Sequence, residues 1–105
     1  MNLTEKKCVP CEGGTAPLTK EEAEKLLKEV TGWQIDEKII KKQFRFKNFI
    51  EAMKFVNKVA ELAEQEGHHP DMKISWNKVT LELWTHAIGG LSENDFIVAA
   101  KVDKL

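Results

Sequence analysis

Histidine is the side chain that titrates, unperturbed, near neutral pH, and all three histidines of this sequence, His68, His69 and His86, fall between Glu64 and Asp95. Such a cluster suits proton transfer, with acid and base roles divided among the imidazoles. Adjacent residues in an extended segment point in opposite directions, so His68 and His69 are expected to do different jobs, one handing over a proton and the other gripping a ligand. Pro70 restricts His69 and helps to fix that geometry. Glu64 stands about one helical turn before His68, where it either orients that ring or belongs to a solvated helix face. Asp95 either tunes an imidazole or only caps a helix; the two roles are compatible. Trp76 and Trp84 either stack on a flat ligand or belong to the core or the sheet surface. Three imidazoles also raise zinc with a catalytic water, but an adjacent pair in an extended segment does not readily chelate one ion, and no metal is expected.

The elements that must position these residues follow from periodicity. Thr19 with Glu22 three residues on reads as a capping box. Ala23, Leu26, Leu27 and Val30 then recur at helical spacing, and Gly32 supplies a stop, so the first helix is expected to end near Thr31. Trp33–Ile35 and Ile39–Phe46 alternate as a hairpin interrupted at Asp36-Glu37, with Ile40, Phe44 and Phe46 in one phase and Lys41, Gln43 and Arg45 in the other. Asn48 opens a second helix that runs to Gly67 and carries an apolar arc of about 180°, wider than one core contact needs. Its Phe55, Val59 and Leu62 edge is either core or a contact with a second copy of the chain. Met72, Ile74 and Trp76 alternate into a tight turn over Trp76–Val79, in which Asn77 tolerates left-handed dihedrals. Val79, Leu81 and Leu83 share one phase of the return strand, with Trp84 and His86 in the opposite phase or at its end. After Gly89-Gly90, Ser92 and Asp95 repeat the capping pattern ahead of a third helix. The order is α-β-β-α-β-β-α: an α+β fold with one four-stranded antiparallel sheet and three helices on one face.

A chain of 105 residues suits a single domain. We assign residues 1–17 to a flexible tail and 18–105 to the folded unit. The balance of 16 basic against 17 acidic residues leaves no field for a phosphate backbone, so direct nucleic-acid binding is not expected. No apolar run approaches the roughly 20 residues that cross a bilayer, and no signal-peptide stretch opens the chain, which points to the cytoplasm. Cys8 and Cys11 make one C-x-x-C in a Pro- and Gly-rich segment. Half of a zinc site shared across a dimer, a redox pair and a bystander motif all remain open for it.

Glu64, three positions, His68-His69-Pro70, Trp76, His86 and Asp95 together resemble the signature of the pterin-4a-carbinolamine dehydratases. The likeness runs from about Leu18 to Val102 and takes in Gly32-Trp33, Lys42–Phe46, Asn77–Val79 and Thr85-His86. The signature is silent on the segment holding Cys8 and Cys11. The resemblance implies a hydro-lyase without metal or cofactor, in tetrahydrobiopterin recycling. It would dehydrate 4a-hydroxytetrahydropterin, released by aromatic amino acid hydroxylases, to the quinonoid dihydropterin. It further implies that His68 and His86 act as acids and bases on either side of the pterin while His69 holds it. Glu64 and Asp95 would orient the rings, and Gly67, His69, Pro70, Trp84 and Thr85 would contact the substrate. A homodimer or homotetramer, through the second helix, fits the family. Because animal members also serve as dimerisation partners of a homeodomain transcription factor, a non-catalytic protein-binding module of the same fold is the alternative.

Overall fold

A computed structural model describes residues 3–9 and 16–105; Cys11, and with it the second half of the C-x-x-C motif, lies outside the described residues. The order of the main elements is α1 (Lys20–Leu27), β1 (Gln34–Asp36), β2 (Ile39–Arg45), α2 (Phe49–Glu66), β3 (Asp71–Ser75), β4 (Lys78–Leu83) and α3 (Glu93–Val102), with short 3₁₀ turns at Leu3–Glu5 and His86–Ile88. The expected α-β-β-α-β-β-α order is therefore the observed one. All strand pairs are antiparallel, in the spatial order β1-β2-β4-β3. The two hairpins meet through β2 and β4, which pair from Ile40 opposite Leu83 to Arg45 opposite Lys78.

Since side chains alternate across a strand, this register gathers Ile40, Phe44, Val79, Leu81 and Leu83 on the face under the three helices. Ala52, Phe55 and Val59 of α2 and Phe96, Ile97, Val98 and Ala99 of α3 close the core over them. Lys42 shares the phase of Ile40 and Phe44 and is accommodated by snorkelling. Its Nζ lies 4.8 Å from the Phe44 ring centroid, donates to Thr31 O at 2.7 Å and meets Asp103 Oδ1 at 2.8 Å. The Trp33 indole N–H donates to the same Asp103 carboxylate, which fastens the end of α3 to the sheet edge.

The helix starts follow the capping chemistry. Thr19 Oγ1 accepts from Glu22 N–H, and Glu22 returns the bond to Thr19 N–H; Asn48 Oδ1 accepts from Glu51 N–H. Helix α1 stops at Leu27, short of the expected Thr31, because the chain tightens into i→i+3 bonds from Glu29 to Leu26 and from Val30 to Leu27. In the β3–β4 turn the left-handed residue is Trp76, with φ 53°, rather than Asn77. Asn77 is instead held by the residue just past β2: its Nδ2 donates to Phe46 O, and its backbone carbonyl accepts from Phe46 N–H.

Of the Phe55, Val59 and Leu62 edge, Phe55 and Val59 are buried in the chain's own core and Leu62 packs partly buried against it. Phe55 sits between Phe44 and Phe46, with ring centroids 4.7 and 5.0 Å apart. That edge of the wide apolar arc is thus spent inside the monomer, while Phe49 and Ile50 at the start of α2 remain exposed. Residues 3–9, expected to form part of a loose tail, lie against α3, with Leu3 in the core cluster.

Candidate functional site

Backbone geometry at the end of α2 places the first two histidines. Gly67 takes φ 66° and bonds its N–H to Ala63 O, the left-handed stop that glycine adopts without a Cβ penalty. His68 N–H also reaches Ala63 O, at 3.2 Å. The chain then runs out through His69 and the buried Pro70 into β3. Because β3 pairs with β4 antiparallel from Asp71 opposite Glu82, the entrance to β3 and the exit from β4 share one end of the sheet. Extending that register by two residues sets His69 across from Trp84. His86 follows at the first position of a loop closed by reciprocal bonds between Thr85 and Gly90 and turned at Gly89, where φ is 66°.

The three histidines therefore line one open hollow of about 610 Å³, together with Gly67, Pro70, Trp84 and Thr85. Trp76 is elsewhere: it is 67% exposed and lies at the opposite end of β3, so of the two strand-associated tryptophans only Trp84 belongs to the hollow. The Trp84 and His86 rings stack, with centroids 3.9 Å apart and planes at 36°.

Each member of the histidine pair has its own carboxylate. His68 Nε2 is 2.5 Å from Asp95 Oδ1, and His69 Nε2 is 2.5 Å from Glu64 Oε2. Glu64 thus orients His69, not His68 as helical spacing suggests. The helix ends at Glu66, so residues past Gly67 no longer follow an i, i+4 rule. The two pairs differ in environment: Glu64 and His69 are both exposed, whereas Asp95 is 0% exposed.

Buried carboxylates persist when donors saturate them, and three donors reach Asp95. Its Oδ2 accepts from Ser92 N–H at 2.9 Å and from the Thr85 hydroxyl at 2.9 Å, leaving Oδ1 for His68. Thr85 has a single hydroxyl proton, and with that proton directed at Asp95, its 2.7 Å contact with Ser92 Oγ makes Ser92 the donor there. Asp95 consequently caps α3 and holds an imidazole at once. An ionised carboxylate only accepts, so His68 presents Nε2–H to it and retains Nδ1 as the ring's acceptor. The arrangement sets one imidazole in a defined orientation against a buried carboxylate.

Several lining residues escaped the sequence reading. Asn94, Glu66, Cys8 and Val9 complete another side of the hollow. Glu66 accepts the Cys8 N–H at 3.0 Å and Lys101 Nζ at 2.7 Å. Burial works against its charge, but the bonds from Lys101 and the Cys8 backbone outweigh it and hold the carboxyl below its ordinary range. Burial, reinforced by the neighbouring Glu66, pushes the Cys8 thiol from 9.0 up to about 12. The only sequence signals at these positions were the C-x-x-C and a polar residue beside Asp95. Among the described residues no three His, Cys, Asp or Glu side chains group as a metal-holding set, and no helix is long and apolar enough to cross a membrane.

Comparison with known proteins adds a second line. A family model described as pterin 4 alpha carbinolamine dehydratase matches residues 16–105. A Nitrosomonas eutropha protein is 57% identical over 105 residues, covering 99% of this chain and 93% of the relative. A Methylococcus capsulatus protein is 56% identical over 106 residues, covering 99% and 93%. Both are provisionally named pterin-4-alpha-carbinolamine dehydratases. Among solved structures, a Brucella melitensis protein named transcriptional coactivator/pterin dehydratase superimposes with a TM-score of 0.80 at 34% identity, covering 84% of this chain and 96% of that one. With matches of this extent, and with the histidines and their carboxylates gathered at one end of the sheet, the chain belongs to the pterin-4-alpha-carbinolamine dehydratase family.

Proposed function

We propose that the hollow binds 4a-hydroxytetrahydropterin and eliminates water from it, giving the quinonoid dihydropterin. The observation that carries this reading is the convergence of His68, His69 and His86, from two separate chain segments, on one hollow in which His68 is backed by a buried carboxylate. Elimination breaks the bond from C4a to the hydroxyl oxygen, and the lone pair of the adjacent ring nitrogen forms the new C=N bond. That nitrogen gives up its proton, while the departing oxygen gains one and leaves as water. Two proton transfers on one flat substrate call for an acid and a base in separate positions. His68 takes the nitrogen's proton at Nδ1, and Asp95 stabilises the resulting imidazolium. His86, held against Trp84, delivers a proton to the hydroxyl. His69, tied to Glu64, grips the polar edge of the ring, with Gly67, Pro70, Trp84 and Thr85 as further contacts. No step needs a metal or cofactor. The protein works in the cytoplasm, recycling tetrahydrobiopterin, as a homodimer or homotetramer in which the exposed Phe49 and Ile50 end of α2 is available for contact between copies.

A non-catalytic dimerisation role is the competing reading, favoured by the word coactivator in the name of the Brucella melitensis protein. Stopped-flow dehydration of synthetic 4a-hydroxytetrahydropterin separates the two. The enzyme reading requires acceleration over the spontaneous rate that disappears in a His68→Ala, His86→Ala double variant. A pure adaptor leaves the spontaneous rate unchanged.

A further inference from the structure

The family model begins at residue 16, yet residues 3–9 are fastened to both segments that build the His68 corner. Leu3 is buried against the core, and Lys6 Nζ meets Glu93 at 3.1 Å. Cys8 N–H donates to Glu66, which stands just before Gly67 and His68. Val9 is held from both sides of its backbone: its N–H donates to Asn94 Oδ1 at 3.0 Å, and its carbonyl accepts from Asn94 Nδ2 at 2.6 Å. Asn94 is 5% exposed and immediately precedes Asp95. Burying a primary amide is costly unless its donor and acceptor are matched. Here both are matched by one residue's backbone, so the side chain acts as a clasp for this stretch of chain. Cys8 and Val9 face the same hollow as His68 and His86, and the thiol stays neutral through the physiological range.

We propose that Leu3–Val9 forms a strap that completes the pterin site, with Asn94 and Glu66 as positioning residues that hold the Cys8–Val9 wall against bound substrate. The proposal rests on the dehydratase reading of the hollow and adds to it a determinant of substrate affinity. Loosening the clasp raises KM more than it lowers kcat, because the strap touches the ligand and not the imidazoles that move protons.

The test uses the full chain carrying Cys11→Ser, so that Cys8 is the sole thiol. Iodoacetamide alkylation is timed at alkaline pH, where the raised thiol supplies enough thiolate to react, with and without 7,8-dihydrobiopterin, whose binding is followed separately by fluorescence quenching, and turnover is measured on the same protein. Saturating pterin is expected to slow Cys8 alkylation about fivefold or more by covering the wall. Asn94→Ala is expected to raise KM about tenfold, with a smaller change in kcat, as loss of a paired hydrogen-bond clasp implies. An alkylation rate indifferent to pterin, in a chain that binds pterin and dehydrates its substrate, overturns the strap while leaving the dehydratase standing. A chain that neither binds pterin nor accelerates dehydration overturns both. The protection measurement needs no change at Asn94, so it decides the matter even if Asn94→Ala fails to fold.

Discussion

Replacing Asp95 by Asn changes one oxygen into NH₂ with almost no change in shape, and the surrounding donors dictate how the new amide must sit. The Oδ2 position receives Ser92 N–H and the Thr85 hydroxyl, both at 2.9 Å. Turning the NH₂ that way would face a donor against a backbone donor, so the amide oxygen remains there and the NH₂ faces His68. His68 Nε2 must then accept, and the ring proton moves to Nδ1, the nitrogen that should be free to take a proton from substrate. The substitution therefore inverts the tautomer and removes the charge that stabilises the imidazolium. A positioned acid or base is worth about 10²- to 10⁴-fold, and an analogous Asp-to-Asn tautomer inversion behind a catalytic histidine costs about 10⁴-fold. We expect Asp95→Asn to lower kcat at least about 100-fold. Stability should fall by no more than about 1.5–3 kcal/mol, the scale of one hydrogen bond to a charged group, because the α3 cap is kept. Stopped-flow dehydration gives kcat, thermal unfolding gives the stability, and ¹⁵N shifts of the ring report the tautomer. Turnover within about twofold of wild type, with the ring proton shown to have moved, would refute the reasoning, since an effect that small is far below the contribution of a positioned base.

Other outcomes follow from the same geometry. His68→Ala and His86→Ala should each reduce turnover at least about tenfold with the fold intact, while His69→Ala acts mainly on KM; steady-state kinetics on the three variants reads the division. Glu64→Gln should leave kcat/KM within about threefold of wild type, because an exposed ion pair is worth only about 0–1 kcal/mol, and a loss comparable to that of Asp95→Asn would show that the two carboxylates had been ranked wrongly. The strap should make stability depend on pH at both ends. The Glu66 carboxyl is lowered in the fold, so its contribution is present above the unfolded value and is lost as pH falls through the folded one. The Cys8 thiol is raised, so its contribution is complete below 9.0 and is lost as pH climbs toward about 12. Denaturant unfolding across pH should accordingly show a flatter acid limb in Glu66→Gln and a flatter alkaline limb in Cys8→Ser, with Lys101 and Asp95, the other charges near this thiol, left in place.

Much of the fold could be read locally because its determinants are local. Thr19 with Glu22, Asn48 with Glu51 and Ser92 with Asp95 announce helix starts within four residues, and the alternation of Val79, Leu81 and Leu83 assigns the inner face of β4 without reference to any partner. The shortfalls arise where a distant contact decides. Asn77 tolerates left-handed dihedrals, yet Trp76 adopts them, while Asn77 bonds through its Nδ2 and backbone carbonyl to Phe46, just past β2. Lys42 falls in an apolar phase whose logic appears only with Asp103, at the other end of the chain. Glu64 and His68 were linked by helical spacing, but the turn at Gly67 breaks that spacing and delivers His69 to Glu64 instead. Asp95 could be read as a cap; its bond to His68 depends on α3 docking beside the end of α2, which no local pattern encodes. The wall made by Cys8 and Val9 is of the same kind, since its clasp joins residues about 85 positions apart.

The most direct test of the central claim is a crystal structure with 7,8-dihydrobiopterin bound. The ring is expected in the hollow between His68 and His86, with an imidazole nitrogen of each within about 3–3.5 Å of the C4a and ring-nitrogen edge, on opposite sides. A pterin seated elsewhere on the chain, or one in the hollow with its C4a edge turned away from both imidazoles, would contradict it.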